Sequence, residues 1–341
     1  MLRLNLILMA AGSLCPVGAG EPPADADALE RIERRVAAMG TAVRLEVEAP
    51  ERMAALRASE LALRAIEATE RRLSTWREDS ELSLANAQGG AELSRETAAE
   101  LATALDLGRV TGGAFDPTCG ALVQAWGLRE GGQRPSVAGL EAALGRVGLD
   151  RITLEHNALL LETGTLLEEG GWGKGAGLDR ALAALEATDT HAATLDLGGQ
   201  LAWYGAADRS LELAHPDRRG VPAARLTALL HHRSVATSGN SEQRLEVDGE
   251  PLGHLLDPRT GRPAPDFGSL TVLAPTALQA DALSTGLYVL GPERALELAS
   301  QFEQVDVIVL ERHGDAVRLW CTGDIAAAVE PLPPTVLARA G

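Results

Sequence analysis

The sequence predicts an α+β fold, and three observations carry that expectation. Segments of helical period and segments of strand period both recur along the whole chain. They do not alternate at the regular spacing of a doubly wound βαβ sheet. Neighbouring strands sit close enough to form hairpins, as with 152–154 and 159–161 around the short connection 155–158. At 341 residues the chain can build one large core or two lobes. Aromatics make up only 3% of it, so the core must be made of Leu, Ala and Val.

The chain opens with Arg3, an apolar run over 4–14 and small residues at Val17, Gly18 and Ala19. That pattern reads as a secretory signal peptide over 1–20, too short to span a bilayer, and it predicts export to the periplasm. Cys15 raises the question of a lipid anchor, which Leu14 before it disfavours. Residues 21–35 read as a linker, 36–330 as one domain and 331–341 as a C-terminal tail. Strict alternation over 41–48 predicts a strand, ended by Pro50. A helix is expected over 51–73, with Leu56, Leu63, Ile66 and Leu73 on its apolar stripe. A polar turn carrying Trp76 follows as far as Asn86. The next helix runs over 95–110, capped by Ser94 and stopped by Gly112 and Gly113.

A further helix is expected over 137–147, then the hairpin named above. A glycine-rich loop precedes a helical run over 178–185. Short strands flank Gly198 and Gly199, and others fall near 211–214, 226–230 and 235–240. A turn block occupies 253–263 and a strand 270–273. The last helix, 276–290, opens on Thr276 with Gln279 three residues on and ends at Gly291 and Pro292. A hairpin of 307–310 and 317–320 turns around His313, Gly314 and Asp315.

The formal net charge is −17, which argues against nucleic acid or an anionic membrane as partner. Any phosphate ligand then needs local compensation. The stretch 168–180 offers it: five glycines lie within 170–177, and between two of them stands Lys174, the only lysine of the chain. Glycines let a backbone approach a ligand, and a helix start presents N–H groups that suit an anion. The loop is not a P-loop, since Glu168 and Gly175 stand where that motif needs Gly and Ser/Thr. A tight turn with one surface lysine is the bland alternative.

Asp281 and Thr285 are four residues apart on the last helix, hence on one face, and offer the hard oxygen donors Mg²⁺ takes beside phosphate oxygens. A solvated helix face would look the same. His254 can move a proton near neutral pH and Arg259 can fork onto phosphate, although Asp257-Pro258-Arg259-Thr260-Gly261 is also a plain turn. Phe115-Asp116-Pro117-Thr118 is equally open to that reading. Cys119 and Cys321 are too few for a disulfide framework, no zinc spacing occurs, and no G-x-S-x-G supports a nucleophile-elbow hydrolase.

Taken in order, Met39-Gly40-Thr41, the stretch 76–86, Gly112-Gly113-Ala114-Phe115-Asp116-Pro117-Thr118, the loop 170–179, Gly198-Gly199, Ala236-Thr237-Ser238-Gly239, His254-x-x-Asp-Pro-Arg-Thr-Gly and Ala280-Asp281-Ala282-Leu283-Ser284-Thr285 resemble the ApbE family, the bacterial FAD:protein FMN transferases. The resemblance covers roughly 36–330. It implies a T-fold-related architecture of mixed sheet and helices, with FAD in a cleft between lobes. It implies a Mg²⁺-dependent enzyme that takes FAD as substrate, transfers FMN to a Ser or Thr hydroxyl of a separate exported protein, and releases AMP. By the same resemblance Asp281, Thr285 and the Gly173 carbonyl are metal ligands, and His254 is the catalytic base. Met39, Trp76, Phe115, Asp116, Thr118, Lys174, Asp179 and Arg259 fall at positions that contact the dinucleotide.

The chain departs from the family pattern at three places. Glu168-Glu169-Gly170-Gly171-Trp172-Gly173-Lys174-Gly175-Ala176 replaces the usual Asp-Leu-Gly-Gly-Ile-Ala-Lys-Gly-Tyr, Asp196 stands for Asn, and Ser241 for an aromatic. Two alternatives share the same motifs: a FAD pyrophosphatase, in which water replaces the acceptor, and a non-catalytic periplasmic FAD-binding protein.

Overall fold

In the computed structural model the described residues are 29–205, 209–218, 220–228, 233–240, 244–247, 249–314, 316–322 and 324–338. The expected signal segment, the first part of the linker, Ser241 and Asp315 lie outside them. Strands β1 (Glu30–Ala38) and β2 (Thr41–Ala49) form an antiparallel hairpin, and β2 buries Val43, Leu45, Val47 and Ala49 in the alternation its sequence shows. Helix α1 (Arg52–Leu73) follows, then α2 (Glu81–Gln88), the short β3 (Gly90–Glu92), and α3 (Arg95–Val110), whose N-cap Ser94 accepts the Thr97 N–H. Next come α4 (Gly120–Ala125), α5 (Val137–Leu144), the hairpin β4 (Ile152–Glu155) and β5 (Ala158–Leu161), and α6 (Gly173–Glu186).

The second half holds β6 (Ala192–Leu197), β7 (Gln200–Tyr204), β8 (Arg209–Ala214), β9 (Pro222–Ala228), β10 (Ser234–Gly239), β11 (Arg244–Val247), β12 (Glu250–Gly253), β13 (Leu256–Asp257), β14 (Arg262–Pro263) and β15 (Gly268–Ala274). It closes with α7 (Ala277–Leu290), α8 (Pro292–Ala299), β16 (Asp306–His313), β17 (Ala316–Cys321), a 3₁₀ turn, β18 (Val329–Pro331) and β19 (Thr335–Leu337). One nine-stranded sheet runs β1-β2-β6-β7-β10-β15-β16-β17-β19, antiparallel except for the parallel β17–β19 pair. The α+β expectation is borne out.

Period-two alternation assigns each face of that sheet to a different core. On β16, Val307 and Val309 pack with α3, α7 and α8, while Ile308 and Leu310 pack against the small sheet β18-β9-β8. A third cluster joins β1, β2 and β6 to α1 and α6. With both faces covered, every residue of β15 is buried. Helices α6 and α7 are thereby fixed side by side, and they carry the site.

Four stretches differ from the sequence reading. β1 takes in residues 30–35 of the expected linker: its charged face is held by ion pairs such as Arg44–Glu33 and Arg35–Glu33, so few apolar residues mark it. The expected tail contributes β19, which adds an edge strand to the main sheet. The polar stretch after Trp76 contains α2, a short helix that buries only Leu82 and Ala85 and so leaves a faint periodic signal. Helix α8 starts where the helix before it was seen to stop, with Pro292 in its first turn, where the missing N–H is no loss.

Candidate active site

The glycine-rich stretch is not a loop in front of a helix. Helix α6 begins at Gly173, so Lys174, Gly175 and Gly177 lie within it. The reason is close packing. A Cβ at Gly175 would lie 2.3 Å from the Ala277 carbonyl oxygen and 2.5 Å from Leu278 Cα, both backbone atoms of α7. Glycine alone permits that approach, and the helix cost of glycine is accepted for it.

The two helix starts then cap each other. The Gly175 N–H donates to Asp281 Oδ2 (3.0 Å), while the Ala277 and Leu278 N–H groups donate to Asp179 Oδ1 and Oδ2 (2.7 and 2.9 Å). Each carboxylate meets the positive end of the opposite helix. Asp179 thus has both oxygens engaged in capping α7, and burial pushes its carboxyl up despite those donors.

On α7, Asp281 and Thr285 share a face, and Lys174 Nζ stands 3.6 Å from Asp281 Oδ1. Thr285 donates back to the Asp281 carbonyl (3.2 Å), and a Cβ at Gly171 would come within 3.2 Å of Thr285 Oγ1. The structure therefore brings Gly171, Lys174, Asp281 and Thr285 together, and Gly173 opens the helix that carries Lys174. Among the described residues no three His, Cys, Asp or Glu side chains cluster. A cation here would rest on one carboxylate, a hydroxyl and a carbonyl. Those are all hard oxygens, and they leave coordination for the oxygens of a ligand, which fits Mg²⁺. Met39, held at a positive φ of 51°, lays its thioether along the same helix start: a Cβ at Gly177 would meet its Sδ at 3.0 Å.

Phe115 is buried between Gly171 and Gly286, each too close for a Cβ without displacement. Asp116 and Thr118 close a buried turn. Asp116 Oδ1 accepts the Thr118 N–H (2.8 Å) and hydroxyl (2.6 Å), and Thr118 Oγ1 accepts the Gly148 N–H (2.8 Å). Burial raises the Asp116 carboxyl against the pull of Thr118. Through Phe115 this turn packs against Gly171, where Thr285 also approaches.

Trp76 stands 66% exposed, beside a network the sequence left unplaced. Buried Glu169 accepts the Thr75 N–H (3.0 Å) and the Thr75 hydroxyl. Arg129 donates to the Thr75 carbonyl (2.9 Å), to Thr75 Oγ1 and to Glu168 Oε2 (2.5 Å), and its guanidinium carbon lies 4.7 Å from the Trp76 ring centroid. Trp172, fully buried, anchors the same turn by donating to the Glu168 carbonyl (2.9 Å).

Burial, and then the neighbouring Glu169 charge, push the Glu168 carboxyl up to about 7, with Arg129 opposing. An unfolded-chain glutamate titrates near ~4.3. Between those values the folded state keeps a proton the unfolded chain has released, so stability falls as pH rises through this window and levels off above it. Glu168→Gln should flatten that dependence. Melting temperatures measured from pH 5 to 8 should drop less in the variant than in the parent, and equal slopes would show that Glu168 does not titrate there.

His254 sits half-buried on the short connection between β12 and β13. The preceding Gly253 is packed on Asn240, since a Cβ there would lie 2.8 Å from its amide nitrogen. That amide reaches Tyr288 Oη (3.4 Å), on the stripe that continues the Asp281–Thr285 face of α7. Arg259 is gripped by Asp257 through Nε and Nη2 (2.8 and 2.9 Å), and its Cγ approaches Gly113. A cleft of about 670 Å³ opens beside Gly253, lined by Trp126, Leu140, Asn240, Arg262 and Asp266. A smaller one, about 440 Å³, lies over α4 and α5.

The ApbE family model matches residues 39–309. The chain belongs to the ApbE family. It is 33% identical over 250 residues to the FAD:protein FMN transferase of Haemophilus influenzae, covering 67% of this chain and 71% of that one. Against the enzyme of the same name from Treponema pallidum it is 33% identical over 263 residues, 70% of this chain and 72% of the other. Two solved structures share the architecture. The ApbE protein of Thermotoga maritima superposes with a TM-score of 0.76 at 28% identity, covering 83% of this chain and 94% of its own. The flavin transferase ApbE of Vibrio cholerae gives 0.75 at 25% identity, covering 88% and 100%.

Within this ApbE fold the sequence reading missed Thr75, Arg129 and Asn240. For Thr75 and Arg129 the signal was indirect. Glu168 and Glu169 are two adjacent acids in an apolar setting, and a buried carboxylate calls for a cation and donors from elsewhere in the chain.

Proposed function

We propose that this protein transfers the FMN half of FAD to a Ser or Thr hydroxyl of an exported acceptor protein and releases AMP. The observation that carries the reading is the paired helix starts. In a chain of net charge −17, Lys174, Asp281 and the first turns of α6 and α7 converge on one face. Lys174, with a cation held by Asp281, would balance the charge of a pyrophosphate, and relatives bearing the transferase name share the fold.

Mg²⁺, when bound at Asp281, Thr285 and the Gly173 carbonyl, would neutralise charge on the phosphate oxygens. The rest falls to the chain's own groups. Lys174, beside Asp281 at the start of α6, orients the pyrophosphate. The acceptor oxygen attacks the FMN phosphorus, and the bond from that phosphorus to the AMP oxygen breaks. His254 takes the hydroxyl proton, so the products are an FMN phosphoester and AMP. The apolar leader over 4–14 supports an exported acceptor.

The test is a mass measurement. The mature chain is incubated with FAD, Mg²⁺ and a small domain carrying an Asp-Gly-x-Ser/Thr-Gly-Ala-Ser/Thr segment. The acceptor should gain the mass of FMN less water, and lose that gain when chelator is present. FMN and AMP in solution with an unmodified acceptor would make the protein a pyrophosphatase, and intact bound FAD would make it a carrier. His254→Ala should keep FAD affinity within about twofold yet lower transfer by about a hundredfold, and a fully active variant would remove His254 from the mechanism.

A further inference from the structure

We propose that Arg129 is a positioning residue for the flavin substrate, and that it acts by fixing the Trp76 indole as a stacking plate beside the start of α6. The inference rests on the FAD reading above and adds a residue to it.

An indole that is two-thirds exposed gains little from packing and would ordinarily sample several rotamers. Here one ring face is held. The Arg129 guanidinium lies over one ring face at 4.7 Å, and its two terminal nitrogens are held by the Thr75 carbonyl, the Thr75 hydroxyl and Glu168. Glu169 grips the same residue 75 from its N–H and hydroxyl. Glu168 and Glu169 are in turn tied to α6, through the Trp172 indole and through the Trp172 and Gly173 N–H groups that donate to the Glu169 carbonyl (3.0 and 2.8 Å). A continuous chain of contacts thus runs from the helix start that faces Asp281 to the plane of Trp76.

The arrangement is a poor choice for stability alone. Glu168 pairs with Arg129 in a largely buried setting, right beside a second buried acid, Glu169, and such clusters cost desolvation that apolar residues would avoid. It is a good choice for preorganisation. With one ring face covered by Arg129, the indole presents a single plate to solvent, set relative to the pyrophosphate-binding turn. FAD carries two planar ring systems joined to its pyrophosphate, and a fixed plate spares the ordering cost of stacking either one.

The experiment is a double-mutant cycle read by equilibrium FAD binding, using quenching of flavin fluorescence with the full mature chain. Arg129→Met keeps the apolar stem and removes the fork, and it should raise the FAD dissociation constant about tenfold. Turnover at saturating FAD should stay within about twofold. In a Trp76→Ala background the same substitution should change affinity by less than about twofold, because the plate it positions is gone. Arg129→Met leaves Glu168 without its cation, so Arg129→Met/Glu168→Gln serves as the neutral counterpart and should show the same affinity loss. An undiminished effect in the Trp76→Ala background would mean that Arg129 meets FAD directly, and would overturn the proposal. So would unchanged affinity in both Arg129 variants. Failure of the parent protein to bind FAD would instead remove the functional reading beneath it.

Discussion

Asp281→Asn is expected to lower Mg²⁺-dependent FAD cleavage by about a hundredfold or more while leaving the fold in place. Asparagine matches aspartate in shape, and its carbonyl oxygen can still accept the Gly175 N–H that holds the two helix starts together. What it loses is the negative charge that faces Lys174 at 3.6 Å and that a hard cation requires. Asp281→Ala would remove both at once and leave a buried N–H unsatisfied, so the amide is the cleaner probe. FMN release followed across a Mg²⁺ titration, alongside a melting curve, separates the two effects. Lys174 remains, so FAD should still bind without metal. Turnover equal to the parent's would take the cation away from Asp281.

Most of the frame was legible because its determinants are local. The alternation of β2, the Ser94 cap of α3 and the Thr276 cap of α7 each satisfy a rule that needs only neighbouring residues. The elements that escaped reading are those stabilised from a distance. β1 is a charged strand whose partners are on β2, and β19 is an edge strand that exists because β17 pairs with it. The site divides in the same way. Asp281 and Thr285 can be placed on one face from helical spacing alone. That Asp179 caps α7 across 98 residues of sequence, or that Arg129 reaches Glu168, follows only from the packing. Glu169 shows the limit most plainly: in the sequence it is an unexplained acid, and in the structure it secures the turn that carries Trp76.

Gly175→Ala should be the most damaging single methyl in the protein's active-site region. Its Cβ would be driven to 2.3 Å from the Ala277 carbonyl oxygen and 2.5 Å from Leu278 Cα, and neither atom can step aside as a side chain could. Overpacking against flexible neighbours costs about 1–3 kcal/mol, and against two helix backbones the cost belongs at or above the top of that range. For a domain of about 300 residues that corresponds to a melting temperature lower by roughly 5 °C or more. The same shift would part the Gly175 N–H from Asp281 and loosen the Asp179 cap, so FAD turnover should fall with stability. Gly170→Ala is the internal control. Its Cβ would meet only the Glu168 side chain, at 3.4 Å, and the melting temperature should move by no more than about 2 °C. If the two variants melted together, the glycines would be serving chain flexibility alone. A large difference would show that this glycine-rich stretch is spaced for the crossing of α6 and α7.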